Sequence, residues 1–307
     1  MTALVPGFKY YKLPDGAELR YAVFEPRGEP NGTFLIVQGR REFIEKKVLE
    51  VGRDLMKRGY KIILFDSRGQ GYSSRFLGGV ARQYDHLENF DVYVEDMRAF
   101  YRDIVKPNQS GPLFIFAHSM GGLITARWLA ETPEDRADIK AMIMTAPAFA
   151  IGVPPLSFSI SRLLTALGRG ANYAGGQHGY DDRDRRFAHN MLSHDPKRFS
   201  VIEKFFDANP DLKVGGVTWG WLAAALKAMK KLRKPGYVAR IDTPVLALFG
   251  TRDIVTPPAK IIPLIRQMPN AEIFTIRGAW HDLMNEADLY RDQAWRHIDL
   301  FLQEIMA

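Results

Sequence analysis

Ser119, Asp253 and His281 are of the types that together make an activated nucleophile. A serine hydroxyl attacks a carbonyl only when a base takes its proton, and the base needs an acid to orient it. Ser119 stands in Phe114-Ile115-Phe116-Ala117-His118-Ser119-Met120-Gly121-Gly122. Leu113 to Phe116 reads as a short buried strand, with a helix beginning around Met120. A serine at such a turn, a nucleophile elbow, sits at the tip, and the two glycines behind it let helix and strand approach closely. The usual pattern has glycine two residues before the serine; here Ala117 takes that place. Asp253 and His281 follow at separations of 134 and 28 residues, each just past an apolar run. In an α/β sheet, reactive groups gather beyond the carboxyl ends of the strands. Taken singly, each has a plain structural reading: a βα turn, a helix cap and a partly buried loop histidine. Their order and topological placement carry the chemistry. Asp282 is a rival acid, but an immediate neighbour usually points away from the ring, which favours Asp253.

Negative charge on the attacked carbonyl requires donors, normally two backbone N–H groups. The Met120 N–H, just after the serine, is one candidate. The loop Gln38-Gly39-Arg40 supplies the other: Gly39 permits close approach and leaves the Arg40 N–H as donor, although a plain βα turn accounts for the same residues.

These residues need a scaffold of strand ends. Phe8 to Leu13 and Glu18 to Phe24 flank Pro14-Asp15-Gly16 and read as a β-hairpin. Thr33 to Val37 and Lys61 to Phe65 read as buried strands, separated by a helix over Phe43 to Lys57 with the stripe Ile44, Val48, Val51, Leu55. Val94, Met97, Tyr101 and Ile104 give the apolar face of the helix before the elbow strand. Leu123 to Ala130 continues the elbow helix, and Lys140 to Thr145 is the next strand. From Pro147 to Gly236 there are helical stretches and no convincing strand. Strands resume with Pro244 to Phe249 and Glu272 to Ile276, around a helix over Pro258 to Met268, and Leu289 to Ile305 closes the chain as a helix. Short apolar strands alternating with amphipathic helices imply a mostly parallel sheet flanked by helices. The expected organisation is a core over 1–146 and 237–307 with a helical insertion over 147–236.

The chain of 307 residues has ordinary globular composition, with 46% hydrophobic and 25% charged residues. It has no cysteine, which excludes disulfides, thiolate catalysis and cysteine metal sites. Met1 to Tyr10 lacks the pattern of a secretory leader, and no run of about twenty apolar residues exists. The expected location is the cytoplasm or the inner face of its membrane. Residues 151–236 hold 14 Lys/Arg against 7 Asp/Glu, which accounts for the whole net charge of +7. Such a patch suits nucleic acid or an anionic lipid surface. His86, His178, His189, His194 and His297 lack metal-ligand spacing and read as surface or insertion residues. Asp181-Asp182-x-Asp184 reads as a solvated run rather than a calcium site. No metal or cofactor is expected.

With Asp66-Ser67-Arg68-Gly69-Gln70-Gly71-Tyr72-Ser73, Gly250-Thr251-Arg252-Asp253 and Gly278-Ala279-Trp280-His281 added to Gln38-Gly39-Arg40 and the elbow, the sequence resembles the α/β-hydrolase superfamily, specifically the bacterial lysophospholipase and monoacylglycerol-lipase-like serine hydrolases. The resemblance spans nearly the whole chain outside the insertion. It implies the α/β-hydrolase fold, Ser119 as nucleophile, Asp253 as acid, His281 as base, and a purely structural role for the Asp66 to Ser73 loop. Two positions depart from the pattern: Gln38, where relatives often have histidine, and Ala117. The resemblance also makes the insertion a cap that shapes an acyl pocket, for which Phe158, Trp219, Trp221 and Leu222 are candidates. From Thr218 the cap reads as a helix with apolar residues at 222, 225, 226, 229 and 232, opposed by Lys227, Lys230, Lys231 and Lys234. That pattern fits a packed cap helix, or one lying on anionic lipid with its tryptophans at the headgroups. The leading functional expectation is a carboxylic-ester hydrolase acting on a monoacylglycerol or lysophospholipid, with nucleic acid not a partner. The alternatives are a small-ester or thioester hydrolase, an acyltransferase, and a binding protein without catalysis.

Overall fold

The computed structural model describes residues 7–181 and 186–307. Asp182 and Asp184 of the acidic run, and Met1 to Pro6 of the stretch read against a leader, lie outside the described residues.

Eight strands form one sheet in the order β1-β2-β4-β3-β5-β6-β7-β8. The hairpin strands β1 (Lys9–Lys12) and β2 (Glu18–Phe24) are antiparallel to each other, and β2 is antiparallel to β4 (Lys61–Phe65). From β4 onward every pairing is parallel, through β3 (Thr33–Val37), β5 (Leu113–His118), β6 (Ile139–Thr145), β7 (Val245–Gly250) and β8 (Ala271–Ile276). Strands β3, β4, β5 and β7 are buried along their whole length, as expected where helices cover both faces of the sheet. β5 runs two residues beyond the apolar stretch: Ala117 pairs with Val37 and Met144, and His118 with Thr145, so the strand delivers Ser119 directly to the turn.

Helix α1 (Ile44–Lys47) continues through a wider π-type turn, Val48–Gly52, into α2 (Arg53–Lys57). α3 (Asp91–Phe100) leads through Tyr101–Val105 into the short α4 (Lys106–Asn108). The elbow helix α5 (Met120–Glu131) is followed by the single turn α6 (Pro133–Arg136). Between β6 and β7 lie α7 (Ser157–Leu164), α8 (Pro196–Ala208) and α9 (Trp219–Leu232), and the described residues there form no strand, only isolated bridges at Tyr173–Thr218 and Asp85–Val217. α10 (Pro258–Ile265) and α11 (Asp288–Met306) complete the chain. One apolar core joins the sheet to α3, α5, α9 and α10. A second joins it to α1, α2 and α11.

The inserted helices are fastened to the rest by specific contacts. Phe206 of α8 packs on Phe43, just before α1, with ring centroids 5.5 Å apart. The α9 face at Leu222, Ala225, Met229 and Leu232 is buried, with Leu226 half-buried and Lys227, Lys230 and Lys234 exposed. Trp221 is only 6% exposed and Trp219 half-buried, so this helix does not present its tryptophans to the surroundings. An exposed apolar stripe runs along α7 and the residues flanking it instead: Leu156, Ile160, Leu163 and Leu167, spaced for one helical face. No helix among the described residues is long and apolar enough to cross a membrane.

Candidate active site

The chain can make the turn at Ser119 only because of what surrounds it. Ser119 has φ 51° and ψ −115°, a strained backbone for a residue with a side chain. Three segments hold it there: its N–H donates to Thr145 O at 3.1 Å, and its carbonyl accepts from Gly122 N at 3.0 Å and from Ala148 N at 2.9 Å. A Cβ on Gly121 would come within 2.2 Å of Val37 O, and one on Gly122 within 2.7 Å of Pro147, so α5 reaches β3 and the segment after β6 only through glycine.

The two downstream loops converge on the serine. His281 Nε2 lies 3.1 Å from Ser119 Oγ, and His281 Nδ1 lies 2.8 Å from Asp253 Oδ2. A carboxylate facing Nδ1 fixes the proton there and leaves Nε2 to accept from the serine hydroxyl. Asp253 is anchored in turn: Oδ1 accepts from Val255 N and Thr256 N at 2.8 and 2.9 Å, and Oδ2 accepts from the Thr256 hydroxyl at 2.6 Å. Burial disfavours its charged form, but the His281 hydrogen bond and charge, with the Thr256 donors, outweigh that cost and hold the carboxyl below the usual range. All three side chains are buried, with Ser119 9% exposed. A hydroxyl so placed can lose its proton to the imidazole as it attacks a carbonyl carbon.

The loop after β3 sits against the same serine. A Cβ on Gly39 would stand 3.2 Å from Ser119 Cβ. Gln38 donates from Nε2 to Phe65 O and to Asp66 Oδ1. Asp66 also accepts from Ile44 N, Tyr72 N and Arg20 Nε, so the glycine-punctuated loop is a structural knot that fixes both Gln38 and the start of α1. Gly39 N donates to Glu42 Oε2 at 2.5 Å, and Arg41, with φ 61°, donates its N–H to Gln70 Oε1 at 2.7 Å. The N–H groups of Arg40 and Met120 have no acceptor among the described residues. The Arg40 side chain turns away to Asp85 Oδ2 and Gly215 O, at 3.1 and 3.2 Å, with its guanidinium 5.9 Å from the Trp221 ring.

Asp282 is not the partner of His281. Its Oδ2 accepts from Lys46 Nζ at 2.8 Å, inside a buried cluster of Glu42, Lys46, Lys47, Glu50 and His118. Lys46 Nζ also lies 2.6 Å from Glu42 Oε1 and 2.6 Å from Glu50 Oε1. Burial opposes the charges of Glu42 and Asp282, but the two ammonium groups outweigh it and hold both carboxyls well down, Glu42 to about 2. Burial, and then the nearby Lys47 charge, push the His118 imidazole down to about 3, so the ring is neutral, with Nδ1 3.0 Å from Thr145 Oγ1. Glu42, His118 and Asp282 do bring three donor atoms within 4.8 Å of one another. Lys46 already lies against two of them and Lys47 against one, so this donor set is matched to ammonium groups rather than to a resident cation.

The pocket candidates scatter. Trp221 meets Arg40, on the loop beside Ser119. Phe158 lies instead between Arg162 and Lys230, whose charges are 5.5 and 5.6 Å from its ring, on an outer groove of about 1140 Å³ between α9 and residues 150–158. Trp219 packs against Gly175, and Leu222 is buried on α9. Met191, Ile254 and Trp280, with Asn190 and Arg252, line a smaller cavity of about 390 Å³; Arg252 and Ile254 are the chain neighbours of Asp253, and Trp280 is that of His281. His86 is buried, with Nδ1 3.0 Å from Thr218 Oγ1, and is not a surface residue. Thr256, Glu42 and Lys46 escaped the sequence reading. Thr256 had a signal, lying three residues after Asp253 in a capping position; Glu42 and Lys46 had only a helix-pair spacing that solvated faces share.

A model of the family described as serine aminopeptidase, S33 (Hydrolase_4) matches residues 28–288. A probable lysophospholipase L2 of Haemophilus influenzae is 28% identical over 282 residues, covering 91% of this chain and 86% of the relative. Lysophospholipase L2 of Escherichia coli K12 is 29% identical over 262 residues, 81% of this chain and 74% of the relative. Among solved structures, a soluble variant of Saccharomyces cerevisiae monoglyceride lipase, in complex with a substrate analogue, superposes over 99% of this chain and 98% of its own with a TM-score of 0.76. At 21% identity that likeness is one of fold.

Proposed function

Because the chain belongs to the serine aminopeptidase, S33 family of α/β hydrolases and hydrolyses carboxylic esters, we propose that it cleaves monoacyl lipid esters, a lysophospholipid or a monoacylglycerol, through an acyl-enzyme on Ser119. The observation that carries the mechanism is the line from Ser119 Oγ to His281 Nε2 at 3.1 Å and from His281 Nδ1 to Asp253 Oδ2 at 2.8 Å. His281 takes the serine proton as Oγ attacks the acyl carbonyl, then gives it to the leaving alcohol; water hydrolyses the acyl-enzyme by the same route. Asp253 holds the tautomer and stabilises the imidazolium. The Met120 and Arg40 N–H groups stabilise the oxyanion, a contribution of about 10²–10³ in kcat for each donor.

The lysophospholipase relatives support a lipid substrate, and so does the apolar character of Met191, Ile254 and Trp280 around the cavity beside the triad loops. In this reading residues 147–236 are a cap, and its segment from Leu192 to Arg198 is stitched to the loop carrying His281. Asp282 N donates to Leu192 O, and Glu286 accepts from His194 N and from Trp280 N. The outer face, with Leu156, Ile160, Leu163 and Leu167 beside Arg162, Lys227, Lys230 and Lys234, is where the cap would meet an anionic membrane.

Labelling with a fluorophosphonate, followed by peptide mapping, tests the mechanism: Ser119 is labelled one to one, and Ser119→Ala loses both labelling and hydrolysis of short p-nitrophenyl esters. Labelling at another residue, or an active Ser119→Ala, overturns the assignment. A panel of lysophospholipids, monoacylglycerols and acetate esters tests the substrate, and a profile peaking at acetate overturns the lipid reading.

A further inference from the structure

We propose that Glu42 is the positioning residue of the oxyanion loop and that Lys46 locks this loop to the turn carrying His281. One buried ion-pair network then sets both halves of the catalytic machinery. This rests on the roles proposed above for Ser119, His281 and Arg40.

Three consecutive N–H groups follow β3 in the loop facing Ser119. The first, on Gly39, is taken by Glu42 Oε2 at 2.5 Å; the third, on Arg41, is taken by Gln70 Oε1 at 2.7 Å. The middle one, on Arg40, is left without an acceptor among the described residues. A peptide N–H fixed between two anchored neighbours costs no reorganisation when negative charge arrives, which is the requirement for an oxyanion donor. Glu42 therefore does more than cap a turn: by holding Gly39 it sets which way the next peptide plane faces. The fit is close, since a Cβ on Gly39 would stand 3.0 Å from Glu42 Oε2.

The other carboxylate oxygen of Glu42 is held by Lys46 Nζ at 2.6 Å and Lys47 Nζ at 2.7 Å. Lys46 reaches across to Asp282 Oδ2 at 2.8 Å, 236 residues along the chain and immediately after His281. Glu50 closes the network, 2.6 Å from Lys46 and 2.8 Å from Lys47. A buried network of this kind adds little net stability over apolar packing, because desolvation offsets the Coulomb attraction. Direction is what it supplies: Lys46 donates to Glu42 Oε1 and to Asp282 Oδ2, and Lys47 to Glu50 Oε2, with Glu42 in the loop facing Ser119 and Asp282 next to His281.

Glu42→Asp is the decisive variant: it keeps a negative charge among the lysines but, one methylene shorter, withdraws the carboxylate from the Gly39 N–H. Its kcat on a short soluble ester is expected to fall about 10²-fold with KM within about twofold, the pattern of an interaction made only in the transition state. Affinity for a trifluoromethyl ketone, which forms a tetrahedral adduct with the serine, falls in parallel. Asp282→Asn, which takes one anionic partner from Lys46, lowers kcat in the same direction by about tenfold. If Glu42→Asp does not fold, Glu42→Gln carries the same measurement, since its amide cannot serve Gly39 and both lysines at once. Wild-type protein unlabelled at Ser119 by a fluorophosphonate defeats the mechanistic reading itself. Wild-type labelling with folded variants that keep kcat and inhibitor affinity within about threefold overturns the positioning role alone.

Discussion

Thr256 shows how much of the behaviour of Asp253, the acid proposed for the triad, is set by a neighbouring side chain. Its hydroxyl donates to Asp253 Oδ2 at 2.6 Å and lies 3.2 Å from His281 Nδ1, and its N–H serves the other carboxylate oxygen. Thr256→Val keeps the shape and the backbone donor but removes the hydroxyl bond to a charged acceptor, worth about 1.5–3 kcal/mol. Part of that bond stabilises the anion beside an imidazolium, so kcat is expected to fall about tenfold with KM nearly unchanged, read from steady-state kinetics on a short ester. Asp282 illustrates the opposite case: adjacency to His281 made it a rival acid by position, yet its carboxylate faces Lys46. Consecutive residues in a loop project to different sides, so the choice between the two depended on which side the buried ammonium occupied.

At the scale of elements, the elbow strand, its helix and the strands that lead to Asp253 and His281 were legible to within about two residues, because each is a short apolar run bounded by glycine, proline or a polar turn. The insertion was legible as helices but not in its orientation. α9 carries an apolar stripe and four lysines, and the stripe with Trp221 turns inward. α7 packs on α9 and leaves Leu163 61% and Leu167 65% exposed, with Arg162 and Lys230 on either side of Phe158. An exposed apolar stripe flanked by cations has the chemistry of a helix that settles into an anionic lipid interface. Co-sedimentation with vesicles containing phosphatidylglycerol is expected at low salt and to weaken as salt rises. Leu163→Glu with Leu167→Glu should abolish it while leaving hydrolysis of a short soluble ester intact. Binding that survives the double substitution places the contact elsewhere.

For the molecule as a whole, buried carboxylates tie stability to pH. Glu42, held from 4.5 down to about 2 against burial by Lys46 and Lys47, binds protons more readily in the unfolded chain than in the folded one. Its contribution is therefore complete above the unfolded value and is lost as pH falls through the folded one. Asp96 works the other way, pushed up from 3.8 to about 6 by burial, so its opposing effect ends at 3.8 and the loss should appear below that pH. Denaturant unfolding should show stability falling as pH drops from 3.8 towards 2, with a shallower slope in Glu42→Gln; equal slopes would mean that Glu42 contributes nothing to the acid loss. The sequence by itself determined the mostly parallel sheet, the order of serine, aspartate and histidine on strand-end loops, and the helical stretches between β6 and β7, since periodicity and turn chemistry are local properties that a chain writes out in order. Only the tertiary structure decided that Thr256 completes the anchorage of Asp253, that Trp221 is buried while α7 carries exposed apolar residues, and that Glu42, Lys46 and Asp282 meet in one buried cluster. Carboxylates and lysines spaced three and four apart look the same on a solvated helix and in a buried ionic cluster; which they become depends on whether a loop more than two hundred residues away folds over them.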